Sequence, residues 1–118
     1  MLIQAITIAD QRYEYAKRSV DFIQRYIFPG GCLPSTQVLL ENMGRHTEFK
    51  MEHLRDIGLD YATTLGIWRT RFFQNIEAVD ALGFDNVFKR LWEFYLCYCE
   101  GGFREQAISA VQMSFKKA

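Results

Sequence analysis

The chain predicts a mixed α/β fold, on three observations. Runs at Leu2–Ile8 (LIQAITI), Glu48–Leu54 (EFKMEHL) and Ala107–Phe115 (AISAVQMSF) have the length and residue types of strands. The segments between them repeat apolar residues at helical spacing. A rigid corner, Tyr26–Ser35 (YIFPGGCLPS), separates the first helical stretch from the next. The predicted order is strand, helices, strand, two long helices, strand, with about four to five helices in all. A chain of 118 residues has room for one domain built on one core.

Leu2–Ile8 is short, apolar and rich in Ile and Thr, as a mostly buried strand is. Asp10 is placed to cap the helix after it, whose inner face runs through Tyr13, Ala16, Val20, Ile23 and Ile27. Ser19 and Asp21 offer a second start, so a break near Val20 is expected. At the corner, Pro29 lacks a backbone donor and pushes Phe28 out of the α region. Gly30 and Gly31 then permit a positive φ or a close backbone approach, and Ser35 is placed to cap a new helix. That helix is predicted over Thr36–Asn42, closed by Gly44. In Glu48–Leu54, Phe49, Met51 and His53 alternate with Lys50 and Glu52, which predicts a strand with unequal faces.

Asp60 is expected to start the next helix, with the stripe Tyr61, Leu65, Trp68, Phe72, Ile76 and Val79 inward and Arg69, Arg71, Gln74 and Glu77 toward water. Gly83 should end it. Asp85 caps a further helix that turns Phe88, Leu91, Trp92, Tyr95 and Cys99 inward and Lys89, Glu93 and Glu100 outward, with Gly101–Gly102 as its stop. Ala107–Phe115 closes the fold as the third strand, before a frayed end.

Composition narrows the function classes. Fourteen basic residues balance fourteen acidic ones, so no net field favours nucleic acid. The apolar runs fall well short of the ~20 residues a membrane span needs. Met1 leads directly into a strand-like run, with no signal-peptide pattern. Three cysteines, Cys32, Cys97 and Cys99, suit a reducing cytoplasm. Cys97 and Cys99 stand two apart on a helix and point to different faces, and His46 and His53 have no thiol or carboxylate cluster around them, so no metal site is expected.

The corner YIFPGGCLPS resembles a stretch found late in the cyclopropane-fatty-acyl-phospholipid synthase and mycolic acid cyclopropane synthase family. The blocks LIQAITIAD (Leu2–Asp10), GLDYATTLGIWRTRF (Gly58–Phe72), ALGFDNVFKRLWEFYLCYCEGGFRE (Ala81–Glu105) and AISAVQMSF resemble it in the same order and spacing. The resemblance implies the C-terminal part of a class I S-adenosylmethionine-dependent methyltransferase. The three strands would be the fifth, sixth and seventh of its sheet, with Ala107–Phe115 antiparallel and central. The cofactor-binding half would then lie outside residues 1–118, because Gly30–Gly31 follows a helix and opens no nucleotide turn.

For the full-length parent the resemblance implies methyl transfer from S-adenosylmethionine to a cis double bond of a phospholipid acyl chain, with bound bicarbonate as the base. It places Tyr61 and Ile6 in the bicarbonate pocket and Gln4 where the family has a histidine. The pocket cysteine and glutamate of the family are not among these residues, and Cys32 in the corner does not replace that cysteine. Each position has a plain structural role as well: Tyr61 begins an aromatic stripe, Ile6 is an ordinary strand residue, and Gln4 can bond within the sheet. Trp92, Tyr95, Tyr98 and Phe103 are candidates for an acyl channel or for the core.

The parent would sit in the cytoplasm, touching the inner membrane face peripherally. The alternative function is a stand-alone interaction domain with a remnant of the fold. In either case the open edge at Leu2–Ile8 is expected to drive homo-oligomerisation. The chain alone is expected to be inactive and to hold neither cofactor. Calorimetric titration with S-adenosylmethionine should therefore give no dissociation constant below ~100 μM, about −5.5 kcal/mol.

Overall fold

A computed structural model describes residues 1–118. Three strands, β1 (Leu2–Ile8), β2 (Phe49–Asp56) and β3 (Ile108–Lys117), form one sheet in the order β1-β3-β2. The last strand lies in the centre and runs antiparallel to both neighbours. Six helices accompany the sheet: α1 (Tyr13–Arg18), α2 (Phe22–Tyr26), α3 (Thr36–His46), α4 (Gly58–Gln74), α5 (Ile76–Ala81) and α6 (Asn86–Arg104). A short 3-10 turn, Asp10–Arg12, precedes α1.

Alternation along β3 gives the sheet two different faces. Val111, Met113 and Phe115 turn to one side, where they meet Ile3, Leu39, Leu40, Met43, Phe49 and Leu54. Ala110 turns to the other and joins Ala62, Leu65, Leu96 and Phe103 of α4 and α6. The helices α4 and α6 pack antiparallel on this second face. Gly58 lets that packing begin: a Cβ there would collide with Ser109, so only a bare backbone can cross β3 this closely.

Local signals set several boundaries. Ser35 Oγ accepts from the Val38 amide at 3.2 Å, and Asp85 from the Phe88 amide at 2.8 Å. Asp21 and Gln24 form a reciprocal capping box, which separates α2 from α1 at Val20. Gly30 takes a φ of +83°, as the corner requires.

Other boundaries differ from the sequence reading, for definable reasons. Asp10 does not cap its own helix; its carboxylate accepts from the Gln37 amide and serves α3 instead. Gly44 and Gly101–Gly102 lie inside α3 and α6, because tertiary packing outweighs a propensity cost of about 1 kcal/mol per glycine. The stripe from Tyr61 to Val79 is two helices, broken at Asn75 between α4 and α5, and the first begins at Gly58 rather than Asp60. In β2 an irregularity between Met51 and His53 resets the alternation, so Phe49 before it and Leu54 after it both face the core, and His53, opposite Ser114, turns to the other side.

The largest departure is Glu100. It was expected in water, yet it is buried. Its carboxylate accepts from Arg69 Nη2 at 3.0 Å and from Arg104 Nε at 2.9 Å, bracing α6 against α4. The hydrogen bond from Arg104 is the largest influence holding its pKa below the usual carboxylate range, opposed by burial and assisted by Arg69.

The molecule measures 54 × 27 × 25 Å, and its radius of gyration of 17.0 Å exceeds the ~13.5 Å of a compact domain of this length. Only 12 of 118 residues are buried, so much apolar surface stays open. No helix is long and apolar enough to cross a membrane.

Replacing Glu100 by Gln should lower stability at pH 7 by on the order of 1–2 kcal/mol, between the exposed and buried limits for ion pairs. A depressed carboxylate pKa stabilises above the unfolded pKa, and that contribution is lost as pH falls through the folded value. The gap between Glu100→Gln and the parent chain should therefore close between pH 7 and pH 3, as urea unfolding at each pH will measure.

Candidate functional site

The site begins with β1. Gln4 and Ile6 alternate onto the face covered by α4 and α6, opposite Gln112 and Ala110 of β3. The Ile57 amide donates to the Ala110 carbonyl at 2.8 Å, which ties the end of β2 to β3 and launches α4 across the sheet. Tyr61, in the first turn of α4, thereby hangs over the row that Gln4 occupies. Its ring leans on buried Phe103, with centroids 5.1 Å apart.

A polar relay crosses this apolar face. Gln112 Nε2 donates to Gln4 Oε1 at 2.9 Å, and Gln4 Nε2 donates to Tyr61 Oη at 2.9 Å. The Tyr61 oxygen accepts in this pair, and its own proton has no acceptor within the protein. The arrangement thus offers neutral donors to an incoming acceptor.

Ile6 neighbours Gln4 on the same face and is 37% exposed. Met1 and Phe115 exchange both backbone hydrogen bonds, and the Ile8 amide donates outward to the Pro34 carbonyl. By alternation, the backbone groups of Leu2, Gln4 and Ile6 point to the outer edge of β1. Ile6 therefore presents its amide and carbonyl to whatever lies along that edge. The structure brings Gln4, Tyr61 and Ile6 onto one face, and joins the first two directly.

The aromatic candidates divide. Trp92 and Tyr95 line an open recess of about 380 Å³ together with Trp68, Arg71, Phe72 and Leu96. This recess lies two to three helical turns along α4 from Tyr61, roughly 10–16 Å. Tyr98 is not part of it. That ring packs against Phe22 and Phe94, and its hydroxyl donates to Asp21 at 3.3 Å, so it docks α2 onto α6. Phe103 belongs to the core.

Burial, assisted by the Asp21 charge, pushes the Cys99 thiol up to about 11, which leaves little nucleophilic thiolate at neutral pH. Cys32 and Cys97 are exposed and free. No group of three or more His, Cys, Asp or Glu side chains comes together. Gly30 and Gly31 follow α2 rather than a strand.

Sequence reading missed two functional-looking residues. Gln112 is a polar side chain within an apolar strand, and a matching polar residue in a partner strand was the available signal. Glu100 gave no such signal, since the spacing alone placed it outward.

The family described as mycolic acid cyclopropane synthetase matches residues 1–113. Tuberculostearic acid methyltransferase UfaA1 of Mycobacterium tuberculosis is 44% identical over 110 residues, covering 93% of this chain and 26% of that protein. The cyclopropane-fatty-acyl-phospholipid synthase of Escherichia coli K12 is 38% identical over 96 residues, covering 81% of this chain and 24% of its own length. The chain thus spans about a quarter of these relatives. Mycolic acid cyclopropane synthase CmaA1, solved with SAH and CTAB, has a TM-score of 0.83 and 28% identity, covering 99% of this chain and 44% of that one. The cyclopropane synthase MmaA2 from Mycobacterium tuberculosis, at 23% identity and a TM-score of 0.81, shares the fold. With its matched residues spread over all three strands and every helix, the chain belongs to the mycolic acid cyclopropane synthetase family.

Proposed function

We propose that residues 1–118 form the C-terminal part of an S-adenosylmethionine-dependent methyltransferase that acts on a cis double bond of a phospholipid acyl chain. In this reading the Gln4–Tyr61 pair holds the anionic base, bicarbonate, and Ile6 adds a backbone group from the β1 edge. The observation that carries the proposal is the 2.9 Å hydrogen bond from Gln4 to Tyr61, which leaves the phenol proton free to donate to an anion. The cofactor, bound by the rest of the enzyme, supplies the methyl group. The 118 residues alone are inactive.

The chemistry assigns the base a specific task. An alkene is a weak nucleophile, so the methyl donor must be aligned and water excluded. Carbon–carbon bond formation breaks the sulfonium–methyl bond and leaves a carbocation on the chain. Loss of a proton from the new methyl with ring closure gives a cyclopropane. A hydride shift from the methylated carbon to the neighbouring cation, followed by loss of a proton from the new methyl, gives a methylene branch on the open chain instead. Gln4 contributes only neutral hydrogen bonds, whereas a charged histidine would make bonds roughly twice as strong. A weakly held base favours the acyclic outcome, which agrees with the 44% identical relative being named a methyltransferase rather than a cyclopropane synthase. The recess at Trp92 and Tyr95 offers apolar walls for an acyl chain. Lipid access is peripheral, from the cytoplasmic side of the membrane.

A second reading, a stand-alone interaction domain, draws support from β1. Its outer edge leaves the backbone groups of Leu2, Gln4 and Ile6 without strand partners, and Leu2 is 73% exposed. In this reading two copies pair edge to edge about a twofold axis. Light scattering at ~100 μM should give a dimer or larger species for the 118-residue chain; a clean monomer overturns the edge pairing.

The enzymatic reading is tested by a chimera in which this chain replaces the matching quarter of the Mycobacterium tuberculosis methyltransferase, expressed with unsaturated phospholipid. The chimera should add one carbon to the acyl chain, mainly as an acyclic branch distinguished from a ring by proton NMR. Gln4→His should move product toward cyclopropane, as a base held more tightly by ~1 kcal/mol or more would. No modified lipid, with the intact relative active alongside, overturns the reading. A mainly cyclopropane product at a rate that Gln4→His leaves unchanged overturns the role of Gln4.

A further inference from the structure

Gln112 has no role in the reading above, yet it controls the one residue on which that reading depends. A glutamine amide can be placed in two ways, related by a half-turn that exchanges its donor and acceptor ends. In the observed arrangement Gln4 turns its NH2 to Tyr61 and its carbonyl to Gln112. The reverse arrangement would place the Gln4 carbonyl against Tyr61. The phenol would then donate its proton inward, and nothing would remain to donate to a ligand. Which arrangement holds depends on the group that meets the far end of Gln4.

The position of Gln112 in the sheet supplies that group. Its Cα partners are Gln4 on β1 and Arg55 on β2, so the three residues form one cross-strand row. Leu54 faces α3 with Met113, so Arg55 and Gln112 fall on the α4/α6 face together with Gln4. Arg55 has no ion-pair partner in the protein. A positive charge in the neighbouring register favours the Gln112 orientation that turns its carbonyl toward β2 and its NH2 toward Gln4. From there the direction is transmitted: Gln112 donates to Gln4, Gln4 donates to Tyr61, and the phenol proton is released outward.

We propose that Gln112 is a positioning residue, which fixes the amide orientation of Gln4 and so keeps the Tyr61 hydroxyl available as a donor to an oxygen anion. The proposal rests on the reading of Gln4 and Tyr61 as an anion-holding pair for its consequence in catalysis. Its structural content, the direction of the relay, stands apart from that reading.

Two substitutions separate direction from packing. Gln112→Glu preserves shape but, when ionised, offers only acceptors, so Gln4 must turn its NH2 toward position 112 and its carbonyl toward Tyr61. Arg55 in the neighbouring register offsets the new charge. Gln112→Met fills similar volume and offers no donor.

In the 118-residue chain, NMR should show a cross-peak between the Gln4 side-chain amide protons and the Tyr61 ring. Gln112→Glu should abolish that cross-peak and Gln112→Met should weaken it severalfold, with backbone amide spectra otherwise retained. A cross-peak unchanged in Gln112→Glu overturns the proposal. In the chimera, both variants should lower turnover about 10-fold, the effect of one lost hydrogen bond at its upper range, with the KM for lipid unchanged and partial restoration by added bicarbonate. Equal turnover in all three overturns the catalytic consequence. An inactive chimera with the NMR effect intact overturns the enzymatic reading alone and leaves the relay established.

Discussion

The pairing of β3 with both neighbours is the constraint on which the rest of the structure depends. Without it β1 and β2 are not joined in one sheet, since each pairs only with the strand between them. The register of that pairing sets Gln112 against Gln4 and Ala110 against Ile6. It also anchors Ile57 through the Ala110 carbonyl, which decides where α4 starts and hence where Tyr61 falls. A slip of one residue would turn every β3 side chain to the opposite face and disperse the relay. The site is therefore a consequence of strand register more than of any loop.

That dependence explains which parts of the architecture were legible in the sequence. The three strands, the break at Val20, the caps at Ser35, Asp21 and Asp85, and the Pro-Gly corner all follow from local chemistry, and the central place of the last strand followed from the family resemblance. The glycines were misread because helix propensity is a weak local preference. At Gly44 and Gly101–Gly102 the packing of α3 on the sheet and of α6 on α4 outweighs it. The Met51–His53 irregularity could not be read, since an inserted residue changes no composition and announces itself only in the partner strand. Glu100 was misplaced for a related reason: a carboxylate at an inward position makes sense only once Arg69 arrives from a helix that the linear sequence does not place beside it.

The candidate site was legible in part. Tyr61, Ile6 and Gln4 were named from resemblance, and the fold sets them on one face. What the sequence did not reveal was the grammar between them. Hydrogen-bond direction is a property of three side chains at once, and Gln112 is separated from Gln4 by almost the whole chain. The aromatic positions show the opposite failure. Trp92, Tyr95 and Tyr98 share a helix and a residue class, yet Tyr98 serves to dock α2, because its angular position on α6 differs from that of the other two.

The central strand is synthesised after both of the strands it pairs with. Its partners on β1 lie 100 to 112 residues away, with Gln4 and Gln112 108 positions apart. During synthesis β1 must wait for its β3 partner until the roughly one hundred residues between them have been made. Closing so long a loop costs entropy before any contact repays it, and such nonlocal pairing is slow. The helical hairpin of α4 and α6, with its local contacts, can assemble during that interval and gives the arriving strand a surface on which to dock. The order of the chain thus imposes an order on folding, in which the relay forms only when β3 pairs with β1.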